Sequence, residues 1–255
     1  MLGRNDIGTR THARTRTHLG TCIGMKLDRE AILEAALALL DEVGMDKLST
    51  RLLAERLGVQ QPALYWHFKN KRALLDAMNG QILHSAHERT LPRPGETWDM
   101  FLRENARSFR RALLARRDGA RLHAGSEPDP GDLDMVEAQL AAVVELGVPA
   151  TQAMTLLIAL GRYTVGCVLE QQATPPDAEA QQQALDAAAA SRPLLAEAFA
   201  HYRRAGPDAL FDVGVDLMLE GAKARLVKAE SADGAAEASA APPPAPKRRS
   251  RAPRR

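Results

Sequence analysis

Two groups of side chains in this 255-residue chain have the types and spacing to do chemistry. Between residues 47 and 72, Lys47, Arg51, Arg56, Lys69, Lys71 and Arg72 stand against Glu55 alone, whereas residues 25–46 hold six acids and two bases. A one-sided run of cations is commonly a solvated face. Over two short helices joined by a turn it is also the footprint of a protein that holds duplex phosphates. The second group is His84 and His87, an HxxH pair on one helix, with His123 and Glu170 further along. Imidazoles and a carboxylate are zinc ligands, so a metal-dependent hydrolase is one reading. No HExxH, GxSxG, P-loop or GxGxxG segment supports it, His84 reads better as a surface residue, and the chain is read as a non-enzyme.

The elements that must position these groups are helical. Aromatic residues are 4% of the chain and helix formers dominate, which argues for an all-α fold. Ile32, Leu33, Ala36, Leu37, Leu40 and Val43 recur at helical spacing up to Gly44, and Ser49 and Thr50 then cap a short helix that stops at Gly58. Pro62 sits in the first turn of a third helix, Gln61 to His67, and Asn70 caps a fourth that runs to about Glu88. The first three are the outline of a helix-turn-helix headpiece.

Longer helices follow. Trp98 to Leu113 and Leu133 to Val144 carry apolar stripes, and helices from Pro149 to about Gln172, Pro193 to about Arg204 and Pro207 to about Lys228 complete the body, the last burying Phe211, Val215, Leu217 and Leu219 at mixed spacing. Residues 173–192 read as a mobile loop. Gly161, Gly166, Gly214 and Gly221 lie inside long helices, where glycine costs stability but lets helices approach closely, as at a dimer interface.

Charge divides the chain further. Residues 1–24 carry a net +3, residues 228–255 a net +4, and residues 25–227 a net −5. The expected organisation is a basic arm or upstream extension over 1–24, a headpiece over 25–72, a helical body over 73–227 and an Ala/Pro/Arg-rich disordered tail over 228–255. Basic tails alone would also suit an architectural DNA-binding protein. Cys22 and Cys167 stand 145 positions apart with no CxxC, which suggests a reducing, cytoplasmic home. The most apolar stretch, Met154 to Leu169, contains Arg162 and is read as too short and too charged for a bilayer span.

The segment from Leu57 to Leu75, LGVQQPALYWHFKNKRALL, strongly resembles the recognition helix and following helix of the tetracycline-repressor (TetR) family of bacterial regulators. The likeness continues through FLRENARSF, LLARRDGARLHAGSEP and YTVGCVLE, covers about residues 25–227, and is strongest to the tetracycline-binding members. It implies a headpiece joined to a larger ligand-binding and dimerisation domain. It also implies that Thr50, Arg51, Gln61, Pro62, Ala63, Tyr65, Trp66, His67 and Lys71 meet operator DNA. Chemically, Arg suits guanine and Gln suits adenine in the major groove, while Thr, Tyr, His and Lys can hold phosphates. Gln60 and Ala63 depart from the usual acid and threonine.

The same resemblance assigns His87, Asn105, Phe109, His123, Ser126, Pro128, Gln139 and Glu170 to a site for a tetracycline chelated to Mg²⁺. It makes His123 the direct metal ligand, with Ser126 and Glu170 acting through water. Magnesium keeps several waters and few protein ligands, so one His with water-mediated oxygens is sensible only when the drug's oxygens complete the shell. Ser126 stands for threonine, Glu127 for arginine and Arg162 for histidine, which leaves another polycyclic polyketide as an alternative inducer. The expected protein is a homodimeric repressor that grips a palindromic operator through two headpieces ~34 Å apart. Residues 149–172 and 207–228 are expected to dimerise as a four-helix bundle. Ligand would rearrange Asp118 to Pro128, move the helix from Asn70 to Glu88 and release DNA, with a resistance efflux gene as the controlled target.

Overall fold

Three side chains start the helices of the headpiece. Asp28, Ser49 and Asn70 each turn an oxygen onto the backbone N–H three residues on, at 2.9, 3.2 and 2.8 Å, which satisfies donors a helix leaves open. The helices they begin are α1 (Arg29–Val43), α2 (Thr50–Leu57) and α4 (Lys71–Ala86), with α3 (Gln61–Tyr65) between the last two. In this computed structural model the described residues are 27–126, 132–173, 175 and 177–239, those beyond 227 by backbone alone. The expected arm over 1–24 lies outside them, as does Cys22.

The remaining helices are α5 (Trp98–Leu114), α6 (Gly119–Ala124), α7 (Leu133–Glu145), α8 (Ala150–Gln172), α9 (Ala178–Ala189) and α10 (Pro193–Ser239). No strand occurs among the described residues. Ile32, Leu40, Leu53, Leu64, Met78 and Ile82 form a headpiece core that continues into α4 and takes in Leu122 of α6. Phe101, Leu102, Val143, Leu160, Phe211, Val215 and Leu219 form the core of the body.

Four points differ from the sequence expectation. Residues 178–189 are helical; their Ala- and Gln-rich composition carries a helix by propensity without an apolar stripe. The short helix α6 has too few turns to show a period. Leu217, expected inside, is 65% exposed. The backbone of α10 continues to Ser239, so the alanine-rich start of the expected tail is helical; its break at Gly206 (φ 72°), just before Pro207, agrees with the two helices expected there.

Two features set the body's geometry. Arg103, Arg107 and Arg110 of α5 pair with Asp216, Asp212 and Asp208 of α10, and Asp99 pairs with Lys223, at 2.5–2.8 Å. Such partly exposed pairs are worth only about 0–1 kcal/mol each, so they mainly fix the register of α10 on α5. Helix α8 packs on α5, α6, α7 and α10. Contrary to expectation, its full 23 residues are long and apolar enough by length and composition to cross a membrane. Arg162 and Glu170 interrupt it, and 28% of its apolar window is buried, which leaves a face for a partner helix.

Candidate nucleic-acid interface and ligand site

The turn between α2 and α3 passes through Gly58 at φ 68°, a left-handed conformation glycine adopts without strain. Pro62 then occupies the first turn of α3, where a missing N–H costs nothing. The Gln61 amide donates to Thr50 Oγ1 at 2.8 Å and to Tyr65 Oη at 3.3 Å, tying α3 to the start of α2. Around this pair the surface is unusually aromatic: Trp66 is 88% exposed and Tyr65 45%. Large exposed rings on a basic face point to a partner that covers them.

The basic face is smaller than the sequence count. Arg56 makes a paired contact with Glu42 of α1 at 2.6 and 2.8 Å, which spends its charge inside the headpiece. Arg51 is exposed and pairs with Glu55 at 3.0 Å, a contact weak enough to exchange for a phosphate or base. One N–H of the Lys71 ammonium is used on the Leu48 carbonyl at 2.9 Å, leaving two for other acceptors. Pro62 is exposed, and Ala63 and His67 are half-buried beside it.

In the body, His87 closes α4 and lies 3.0 Å through Nδ1 from Ser108 Oγ of α5. Asn105 Nδ2 donates to the Arg89 carbonyl at 2.8 Å and lies 3.4 Å from His87 Nε2. Phe109 stands between two imidazoles, its ring centroid 5.7 Å from that of His87 and 5.0 Å, edge-on, from that of His123. His123 Nδ1 is 3.1 Å from Asn79 Oδ1. The C-terminus of α4, one face of α5 and α6 thus bring His87, Asn105, Phe109 and His123 together.

The other sequence candidates are placed differently. Ser126 donates its hydroxyl to the Leu122 carbonyl at 2.7 Å. Gln139 is half-buried on α7, and Pro128 lies outside the described residues. Glu170 is exposed on α8, where it lines a groove of about 490 Å³ with Asp118, Arg121, Leu169, Gln172 and Ala173. His84 is exposed while His87 is half-buried, so the HxxH pair does not converge. Among the described residues no group of three His, Cys, Asp or Glu could hold a metal by itself. Asn79 and Ser108 were missed by sequence reasoning. Asn79 did carry a signal, since residues 79, 83 and 87 share one helical face.

Burial sets the protonation of both histidines. It pushes His87 down from 6.5 to about 4, with help from the Arg111 charge, and it lowers His123 as well. A neutral imidazole is the form that accepts a polar ligand or a metal. The unfolded chain takes up a proton at His87 below about 6.5 but the fold only below about 4, so stability is lost as pH falls through that window. The full effect is about 3 kcal/mol. Chemical denaturation across the window should show this loss, and His87→Asn should flatten the profile; identical profiles for both proteins would contradict it.

A further set of contacts joins the body to the headpiece. Arg116 Nη1 and the Arg117 N–H donate to the Asp41 carboxylate at 2.6 and 3.0 Å, and Arg117 Nη1 donates to the Glu42 carbonyl at 3.0 Å. Asp118, at φ 56°, accepts the Met45 N–H at 2.8 Å. Arg121 reaches Asp46 at 2.7 Å. Gln172 holds this turn from α8, donating to the carbonyls of Leu113 and Arg116 and accepting the Ala120 N–H. Helix α6 therefore carries His123 on one side and grips the end of α1 on the other.

Two family models match the chain: "Bacterial regulatory proteins, tetR family" over residues 32–78, and "Tetracyclin repressor-like, C-terminal domain" over residues 91–226. The class A tetracycline repressor protein from transposon 1721 of Escherichia coli is 50% identical over 203 residues, covering 79% of this chain and 94% of the relative. Among solved structures, a TetR variant from Acinetobacter baumannii in complex with minocycline is 45% identical, with a TM-score of 0.63 over 77% of this chain and 96% of that one. A class A TetR in complex with 5a,6-anhydrotetracycline and magnesium is 43% identical, with a TM-score of 0.59 over 77% and 98%.

Proposed function

Because the chain belongs to the TetR family of transcriptional regulators, we propose that it is a homodimeric repressor released from operator DNA by a tetracycline–Mg²⁺ complex, controlling an antibiotic efflux gene in the cytoplasm. The observation that carries this reading is the convergence of His87, Asn105, Phe109 and His123 from three helices around one aromatic ring. Two neutral imidazoles, a carboxamide and a flat apolar face suit a polycyclic ligand with an oxygen-rich edge.

The donor set fits a magnesium ion that arrives with its ligand. His123 offers one imidazole nitrogen, while Ser126 keeps lone pairs for a metal-bound water because its hydroxyl proton is committed to the Leu122 carbonyl. When bound, the ion supplies positive charge that holds the ligand's keto-enolate oxygens. Glu170, exposed on α8, is the carboxylate assigned to a metal-bound water. Gly161, Gly166 and Gly221 support the dimer interface: a Cβ on any of them would meet open space within one chain.

On DNA, the exposed face of α3 with Arg51, Gln61, Tyr65 and Trp66 enters the major groove, and Thr50, His67 and Lys71 hold phosphates. The signal path is short. A ligand that draws in His123 moves α6, and Asp118 and Arg121 at the start of α6 hold the turn that follows α1. A ligand releases DNA only through a difference in affinity between the two headpiece spacings.

Tetracycline fluorescence titrated with the purified full chain tests this directly. Tight binding with Mg²⁺ that EDTA abolishes, together with Mg²⁺-dependent release of an operator duplex, is the expected result. No binding in either condition overturns the tetracycline reading and turns the search to other polycyclic polyketides.

A further inference from the structure

Asn79 belongs to α4, the helix whose Leu74, Met78 and Ile82 are part of the headpiece core. Its side chain crosses to α6, placing Oδ1 3.1 Å from His123 Nδ1. A carboxamide oxygen can only accept, so this contact is a hydrogen bond in the tautomer that carries the proton on Nδ1, and in that neutral imidazole the lone pair sits on Nε2. The edge of the His123 ring meanwhile meets Phe109 at 5.0 Å, so the plane is held from two sides.

Resting on the reading of His123 as the metal ligand, we propose that Asn79 is its positioning residue: it fixes the Nδ1–H tautomer, presents Nε2 as the donor atom, and ties that event to α4. An imidazole whose Nε2 gives electrons to a cation becomes a stronger donor through Nδ1–H, so ligand engagement tightens the bond to Asn79. By reciprocity, any displacement of α4 that stretches this bond weakens the hold on ligand. Thus α6 and the residue before it have two grips on the DNA-binding unit: Asp118 and Arg121 on the turn after α1, and His123 on α4.

The test uses the full chain with ¹⁵N-labelled histidine. In ligand-free protein, ¹⁵N NMR should show His123 as the Nδ1–H tautomer. Asn79→Ala should convert it to the Nε2–H form or an exchanging mixture, and Asn79→Asp, whose carboxylate also accepts, should restore it. Affinity for tetracycline with Mg²⁺ should fall on the order of 10-fold in Asn79→Ala and recover in Asn79→Asp. An Nε2–H tautomer in the unaltered protein, or a tautomer and affinity indifferent to Asn79→Ala, overturns the proposal. If the unaltered chain binds no tetracycline, the function reading fails instead, and the ligand-free tautomer comparison still decides for or against the bond to Asn79.

Discussion

Gly119→Ala is expected to cost roughly 3 kcal/mol of stability and to abolish the response to ligand. A Cβ at this position would lie 2.2 Å from the Leu113 carbonyl oxygen and 3.1 Å from its carbon. Those are backbone atoms in the last turn of α5, already held by Gln172, so no rotamer change relieves the clash. Relief requires α6 to shift. Such a shift strains the Ala120 bond to Gln172, the Arg121 pair with Asp46 and the His123 bond to Asn79 together. Calorimetry should show a melting temperature lower by roughly 6–12 °C for a chain of this size. Gly80→Ala is the control, since its Cβ would meet nothing within 4 Å in the middle of α4, and better helix propensity should make it neutral or slightly stabilising. An unchanged melting temperature and unchanged ligand response in Gly119→Ala would remove α6 from the proposed signal path.

The elements legible in the sequence were those whose ends carry their own chemistry. Ser49, Asn70, Gly44 and Gly58 mark helix boundaries through local hydrogen bonds and a left-handed turn, so they need no tertiary context. The helix at 178–189 was not legible because most of its length is exposed and only Ala189 is buried. With no core to meet, it shows no apolar period. Leu217 misled for the opposite reason: it belongs to a helix with a buried stripe at Phe211, Val215 and Leu219, and it points away from that stripe.

The site divides in the same way. The motif likeness pointed to His87, Asn105, Phe109 and His123, and the structure gathers these four. It could not reveal which surface Glu170 serves, because exposure on α8 depends on how the helices pack. The contacts of Arg116, Arg117, Asp118 and Arg121 with the end of α1 join residues about 75 positions apart. Pairing at that separation leaves no local spacing to read. Asn79 carries only the helical face it shares with residue 87, and its partner His123 is not read from spacing because it lies on α6, 44 positions away.

Replacing His123 with Ala separates ligand sensing from DNA binding more sharply than any other single change. The imidazole offers one ring nitrogen to the metal and makes a single hydrogen bond to α4 through Asn79, whereas the charged contacts that tie the body to the end of α1 and the turn after it come from Arg116, Arg117, Asp118 and Arg121, which the change leaves in place. Leu122, fully buried in the headpiece core, is also left in place. Mg²⁺-dependent tetracycline affinity is therefore expected to fall on the order of 100-fold, the scale of losing one strong contact to a charge. Operator affinity without ligand should stay within about twofold. EDTA should bring the unaltered protein down to the affinity of the variant, because both lose the same link between chain and ligand. Operator binding lost together with ligand binding would mean that His123 supports the headpiece itself, and the division of labour along α6 would have to be abandoned.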